Sequence, residues 1–234
     1  MLVYGKWSRG YRQGGLAFFG PDPLQPFNAE RVDTYEIGAK SSWRGSFPGF
    51  FNISGFYNDF RDQRRLIGIS CDSSAPGFKV PCTGNAAIIN AGKSRLHGFE
   101  IETGITAFDR LRLNAQYAYL NTKITGSIPV VLPAAGPWNA VANPKQSAAV
   151  CPLIEFCDVI PGTVPHKLTL SASLDLPLPE SAGKLSIGGA MIYTARYRVV
   201  QDTRGDVPIG RNAGVLPSTK VFNLNANWED VGGM

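Results

Sequence analysis

Charge, histidine and long apolar runs are all scarce in this sequence. Charged residues make up 18% of its 234 positions, below the share of about 25% usual in soluble domains. The two histidines, His97 and His166, have no Cys, His or Asp partner at ligand spacing, which argues against a metal centre. No apolar run reaches the roughly 18 residues of a membrane helix, and the longest, about Ile128 to Trp138, is broken by prolines. A helix-spanning membrane protein is excluded. Nucleophilic catalysis lacks its parts too, with no Gly-x-Ser-x-Gly elbow and no Ser, His and Asp that can be placed together. The net charge of +5 is spread along the chain, without the basic, aromatic-interleaved run that nucleic acid requires. The opening MLVYGKWSRG has no apolar core ahead of a cleavage site. It predicts a mature form or an internal fragment rather than a signal peptide.

Several smaller patterns lead to structure rather than chemistry. The four cysteines form two close pairs, Cys71 with Cys82 and Cys151 with Cys157, in Gly-, Pro- and Ser-rich stretches. Neither pair has zinc-ribbon or Cys-x-x-Cys spacing. They read as two local disulfides in an oxidising compartment, the alternative being four free thiols in a cytosolic protein. Gly92-Lys93-Ser94 has the ending of a phosphate-binding loop, but Ala87 stands where a Gly is needed and no helix pattern follows. Glu100 and Glu102 fall on one strand face, in a wet setting that argues against paired acid/base work. They are expected instead in an ion-pair ladder with Lys or Arg on neighbouring strands.

What the sequence has in abundance is alternation. Leu111, Leu113, Ala115, Tyr117 and Tyr119 alternate with Arg112, Asn114, Gln116 and Ala118. A period of two over such a length predicts a strand with one apolar face. The pattern recurs over His166 to Leu176, Lys184 to Val199, and Val221 to Trp228. Thr34 to Trp43, Phe51 to Phe60 and Gly98 to Ile105 also fit, and Leu2 to Ser8 makes a possible eighth strand. Connections alternate as well. Short ones fall at 44–49, 107–110 and 179–183, and long ones at about 10–31, 67–93, 124–165 and 201–219.

The fold class that follows is all-β: an antiparallel transmembrane β-barrel, about eight strands with short turns on one side and long loops on the other. Tyr117, Tyr119, Tyr193, Tyr197 and Trp228 take the girdle positions at the ends of the apolar faces. Glu36, Lys40, Glu100, Glu102 and Asn114 suit a wet lumen. A soluble half-buried sheet also alternates. However, the apolar faces here carry almost no charge, and compact soluble domains seldom hold several loops this long.

With these residues in hand, the chain resembles the C-terminal barrel part of the TonB-dependent outer-membrane receptors. Phe27-Asn-Ala-Glu30 followed by Thr34-Tyr-Glu-Ile-Gly-Ala-Lys40 is similar to a family signature entering a descending strand, with Ala29 in place of its Pro. Asn90-Ala-Gly92 with the later Gly98-Phe-Glu100, the run Leu111 to Thr122, and Pro165-His-Lys167 follow in the family's order across nearly all of residues 1–234. The family's barrel has about 22 strands, within the range known for such barrels, together with a plug domain. About eight strands and no plug are legible here, and the final strand is missing after Trp228. The chain is therefore expected to be a partial barrel domain over 1–234.

The resemblance implies an outer-membrane receptor of a Gram-negative bacterium. Its function would be energy-coupled uptake of a scarce ligand, most commonly a ferric siderophore. Implied partners are outer-membrane lipid and lipopolysaccharide, the TonB energy-transducing complex and the small-molecule ligand. Neither an enzyme activity nor a cofactor is implied. A passive porin-like channel and a soluble secreted carbohydrate-binding β-protein are the alternatives. Ligand recognition is expected on the long connections. The loop from Ile124 to Pro165, with Trp138, Phe156 and the second cysteine pair, is the leading candidate. Arg64, Arg65, Arg196 and Arg198 would supply charge to an anionic group. Contact with lipopolysaccharide phosphates is the competing role for the basic cluster of Arg61, Arg64 and Arg65.

Overall fold

The computed structural model describes residues 1–18, 26–71, 86–90, 92–126, 138–140, 159–199 and 214–230. Its long strands are β1 (Leu2–Arg12), β2 (Glu30–Trp43), β3 (Gly49–Arg61) and β4 (Lys93–Ala107). They continue as β5 (Leu111–Gly126), β6 (His166–Asp175), β7 (Lys184–Thr194) and β8 (Thr219–Glu229). All lie in one 8-stranded antiparallel sheet, each strand paired with the next in chain order. Among the described residues the sheet does not close, and β1 and β8 each keep one unpaired edge. Among the described residues no helix is long and apolar enough to cross a membrane, which leaves crossing by strands open.

Cross-strand register assigns the faces, because residues opposite one another in an antiparallel pair point to the same side. Ile53 faces Ile101, which faces Tyr117, then Leu168, then Tyr193. Leu113, Ala115, Leu170, Leu174, Ile187, Met191 and Leu224 share that side, as the period-two pattern predicts. Glu36, Glu100 and Asn114 occupy the other.

Two levels of aromatic side chains bound the apolar face. At the long-loop end Trp7, Tyr35 and Tyr57 stand in one register row. Phe99 and Tyr119 lie one row further down the ladder, and Tyr117 and Tyr193 one row further still. Such a drift is what strands tilted by about 35–45° to a barrel axis produce. At the short-turn end the Trp43 indole N–H donates to the Phe47 carbonyl at 2.8 Å, and that of Trp228 to the Ala182 carbonyl at 2.8 Å. Tyr35 to Trp43 spans about 27 Å of strand at ~3.4 Å per residue. Tilted by about 40°, this gives ~20 Å along a membrane normal, close to the lipid-facing band of outer-membrane barrels.

Two glycines of the sequence signatures gain a physical reason here. A Cβ on Gly38 would lie 2.6 Å from the Tyr4 ring, and one on Gly98 would meet the Tyr119 carbonyl and lie 3.0 Å from the Phe56 ring. Each glycine thus leaves room for a cross-strand aromatic on the lumen face, a device that compensates for glycine in sheets.

Three expectations are corrected. The strands run further toward the long loops than their alternation suggests, with β1 reaching Arg12, β2 starting at Glu30, β4 at Lys93, and β5 reaching Gly126. Beyond the aromatic level the outward face turns charged, with Arg9, Asp33, Asp59 and Arg95, while the inner face carries Val32, Phe60 and Ile124, so pairing continues where the alternation no longer reads as apolar-out. In the other direction, β7 stops at Thr194, and Tyr197–Arg198 pairs with Val215–Leu216 in a separate ribbon. Tyr197 therefore stands outside the girdle. Finally, Glu102 accepts hydrogen bonds from the amides of Asn52 (3.2 Å) and Gln116 (3.4 Å) rather than joining an ion-pair ladder. Register places Asn52 and Gln116 directly beside it, with Lys40 one strand further, opposite Asn52.

Candidate functional site

The long connections leave one end of the sheet and fold onto each other. Gly15–Leu16 pairs with Pro26–Phe27 within the first connection. In the second, Arg64–Cys71 pairs with Ala86–Asn90, and Trp138–Ala140 of the third connection adds itself to the same small sheet. Trp138 stands opposite Cys71, and Ala140 opposite Ile69. Backbone pairing thus joins the two connections that hold the cysteine pairs.

Asn90 anchors the base of this assembly. Its side-chain oxygen accepts from the Asn28 backbone N–H (2.6 Å), while its NH2 group donates to the carbonyls of Asn28 (3.0 Å) and Asp62 (2.7 Å). The Gln63 N–H donates to Gly92 O at 3.0 Å, and the fully buried Ser94 hydroxyl donates to Gln63 at 2.7 Å. The Asn90-Ala-Gly92 signature is therefore a clamp between loops. A second clamp holds the end of the third connection, where buried Thr122 accepts from Ile160 N–H (3.1 Å) and meets the Thr163 hydroxyl (3.2 Å). Nothing in the local sequence around Thr122 announces this contact, since its partners lie about forty positions away by the hydrogen-bond separations.

The cluster Arg61, Arg64 and Arg65 is divided. Arg61 lies on the apolar side of the sheet, beyond the aromatics, paired in register with Arg31. Arg64 turns inward. Its backbone N–H donates to Glu30 Oε2 (3.0 Å), its guanidinium to the Gln13 carbonyl (3.3 Å), and it lies 4.9 Å over the Phe27 ring. The stretch Phe27 to Glu30 is thus a seat for Arg64, a relation that sequence spacing could not show because the partners lie 34 positions or more apart.

Arg65 and Trp138 lie on the small three-stranded sheet with Arg64. Arg196 follows the end of β7, and Arg198 sits in the ribbon with Val215, its carbonyl accepting from Gly162 N–H at 2.6 Å. Arg198 is buried, and its Nε has no hydrogen-bond partner among the described residues. Phe156, Cys82, Cys151 and Cys157 lie outside the described residues, so both disulfide pairings do too. His166 accepts or donates a 2.8 Å hydrogen bond with the Tyr117 hydroxyl, and His97 stacks on Tyr57 with ring centroids 6.5 Å apart. Both histidines belong to the aromatic level of the apolar face.

Comparison with known proteins agrees with this geometry. A family model described as TonB dependent receptor-like, beta-barrel matches residues 1–231. The ferric-pyoverdine M114 receptor PbuA of Pseudomonas sp. (strain M114) is 34% identical over 112 residues, covering 48% of this chain and 12% of that receptor. The ferric yersiniabactin uptake receptor FyuA from Yersinia pestis has a TM-score of 0.61 at 14% identity, over 97% of this chain and 27% of FyuA. The siderophore receptor PiuA from Acinetobacter baumannii has a TM-score of 0.61 at 16% identity, over 97% of this chain and 27% of PiuA. At these identities the structural likeness speaks for the fold alone. The chain spans only a minor part of the length of each.

Proposed function

The chain belongs to the TonB-dependent receptor β-barrel family, and from that premise we propose that it forms part of an outer-membrane receptor for energy-coupled uptake of a ferric siderophore. The carrying observation is the pairing of Trp138–Ala140 with the strand Arg64–Cys71. It joins the strand that begins with Arg64 and Arg65 to the segment that carries Trp138, at the end of the barrel from which the long loops leave. Loops on a rigid scaffold are the usual carriers of recognition. Connections that carry arginines and a tryptophan would suit an anionic, partly aromatic iron complex. Arg65 and Arg198 are the stronger candidates for ligand charge, because Arg64 already serves Glu30, Gln13 and Phe27. The likeness to PbuA supports a siderophore as the iron carrier. In this reading Phe156 and the two cysteine pairs shape the same surface, the TonB complex supplies energy through other parts of the receptor, and the apolar face meets outer-membrane lipid.

The test uses the full-length receptor and binding of ferric pyoverdine, ferric yersiniabactin and ferric enterobactin. Deletion of 141–159 is expected to abolish high-affinity binding of the preferred complex while leaving barrel assembly intact. Unchanged affinity in a correctly inserted deletion would remove that loop from the site and shift it to 67–93. Uptake that persists without the TonB complex would favour a passive channel instead.

A further inference from the structure

The lumen face of the sheet is divided between two kinds of wall. On β1 to β4 it carries Lys6, Glu36, Lys40, Glu100 and Glu102. Part of this charge is held in place, with the Tyr4 hydroxyl donating to Glu36 at 2.8 Å and the Lys40 ammonium 5.9 Å over the Tyr4 ring. Aromatic rings cover the glycines of this half. A Cβ on Gly98 would lie 3.0 Å from the Phe56 ring, and one on Gly104 would lie 2.5 Å from the Phe50 ring.

On β6 to β8 the same face is neutral and low in relief. Asn114 of β5 stands opposite Ser171, Ser171 opposite Ala190, and Ala190 opposite Asn223. The next row toward the short turns holds Ser173, Gly188 and Asn225. Gly188 is covered by a carboxamide rather than a ring, since a Cβ there would lie 2.9 Å from Asn225 Oδ1. From Thr194 to Ser186 on β7 this face bears no charged side chain, over about 27 Å of strand at ~3.4 Å per residue. The same holds from Thr219 to Asn227 on β8. Charge returns at the short-turn end, where Arg112 donates twice to Asp175 at 2.7 Å beside a hollow that also takes in Lys184, Asn227 and Glu229. At the other end β7 leads to Arg196 and the buried Arg198. The neutral wall thus joins a candidate ligand residue to the opposite mouth.

We infer that the wall of Ser171, Ser173, Gly188, Ala190, Asn223 and Asn225 is the route along which the iron complex passes from the loops to the short-turn end. This rests on the uptake reading above and adds the route to it. A route must let its cargo leave each position as readily as it enters. Hydroxyls and carboxamides offer neutral hydrogen bonds that water replaces at little net cost. Carboxylates and ammonium groups make charge-assisted bonds about twice as strong. The wall on β1 to β4 therefore suits contacts that last, and the wall on β6 to β8 suits contacts that are made and broken. Its small side chains also leave the width that a bulky complex needs.

The test measures surface binding and uptake of radioiron-labelled ferric pyoverdine in cells carrying the full-length receptor. Ala190→Trp is expected to slow uptake roughly tenfold, a rise of about 1.4 kcal/mol in the transit barrier, with unchanged binding affinity. Ser42→Trp, in the same register row on β2, adds equal bulk to the other wall and leaves uptake unchanged. Ser171→Asp slows uptake of the anionic complex severalfold, and the loss shrinks as external salt rises, which a folding fault would not do. Ser171→Asn, of the same size without the charge, keeps most of the rate. Full uptake through an Ala190→Trp receptor present in the outer membrane would overturn the inference, as would an equal loss in Ser42→Trp. A loss in Ser171→Asp that salt does not change, or that Ser171→Asn shares, would overturn it too. Where Ala190→Trp does not reach the membrane, the two Ser171 variants decide. Failure of the unaltered receptor to take up ferric pyoverdine, ferric yersiniabactin or ferric enterobactin would instead overturn the uptake reading.

Discussion

The carboxamide of Asn90 replaces a stretch of sheet that the loops do not form. Its oxygen and nitrogen pair with the N–H and C=O of Asn28 as a neighbouring strand would, and a second N–H reaches Asp62, which sits at a positive φ of 53°. Removing the side chain leaves three backbone groups without this partner, at a cost of about 1–3 kcal/mol where water does not replace it. Asn90→Ala in the full-length receptor is expected to speed tryptic cleavage at Arg64 and Arg65 while leaving the barrel folded. Asn90→Asp keeps the bond from Asn28 N–H but loses both donated bonds, and should fall between. Cleavage rates equal to the unaltered protein's would show that the loops are held elsewhere. Arg64 illustrates the same economy, serving Glu30, Gln13 and Phe27 at once.

Along a strand, the two faces answer to different solvents, and neighbouring positions should respond oppositely to the same substitution. Leu170 lies mid-strand on the apolar face between Ala115 and Met191, and Ser171 lies beside it on the polar face between Asn114 and Ala190. Leu170→Arg should destabilise the receptor by about 2–4 kcal/mol, the cost of arginine at the bilayer midplane. Ser171→Arg should change stability little, because its side chain enters a wet lumen. Urea unfolding of the receptor folded into lipid vesicles measures both, and equal effects would contradict the face assignment. That assignment was legible in the sequence because lipid on one side and water on the other impose a period of two. The strand ends were not legible, since Arg9, Arg31, Arg61 and Arg95 stand on the apolar side where that contrast has ended. The loop site was legible only as a list of residues. Trp138 reaches Cys71 through backbone pairing between distant segments, and such pairing leaves no local periodicity to read.

For the molecule as a whole, the open sheet edges determine what the chain can do alone. β8 is exposed at every position, with Leu224 exposed to 90%, and its outer backbone groups have no partner among the described residues. Unpaired strand edges cannot be hydrated inside lipid, and in water they recruit other strands. Eight strands can in principle close into a small barrel with a side-chain-filled interior. The lumen face here argues against that solution, because Phe50, Phe56, Tyr4 and Arg112 would have to share a core with Glu36, Glu100 and Glu102, which the wide interior of a larger barrel keeps in water. Expressed by itself, the chain is therefore expected to form oligomers in detergent and to migrate identically in SDS gels with and without heating. The full-length receptor, whose further strands can pair with β1 and β8, should be monomeric and shift on heating. A monomeric, heat-shifting isolated chain would mean that β1 and β8 pair with each other, and would place the lumen residues in a closed core instead.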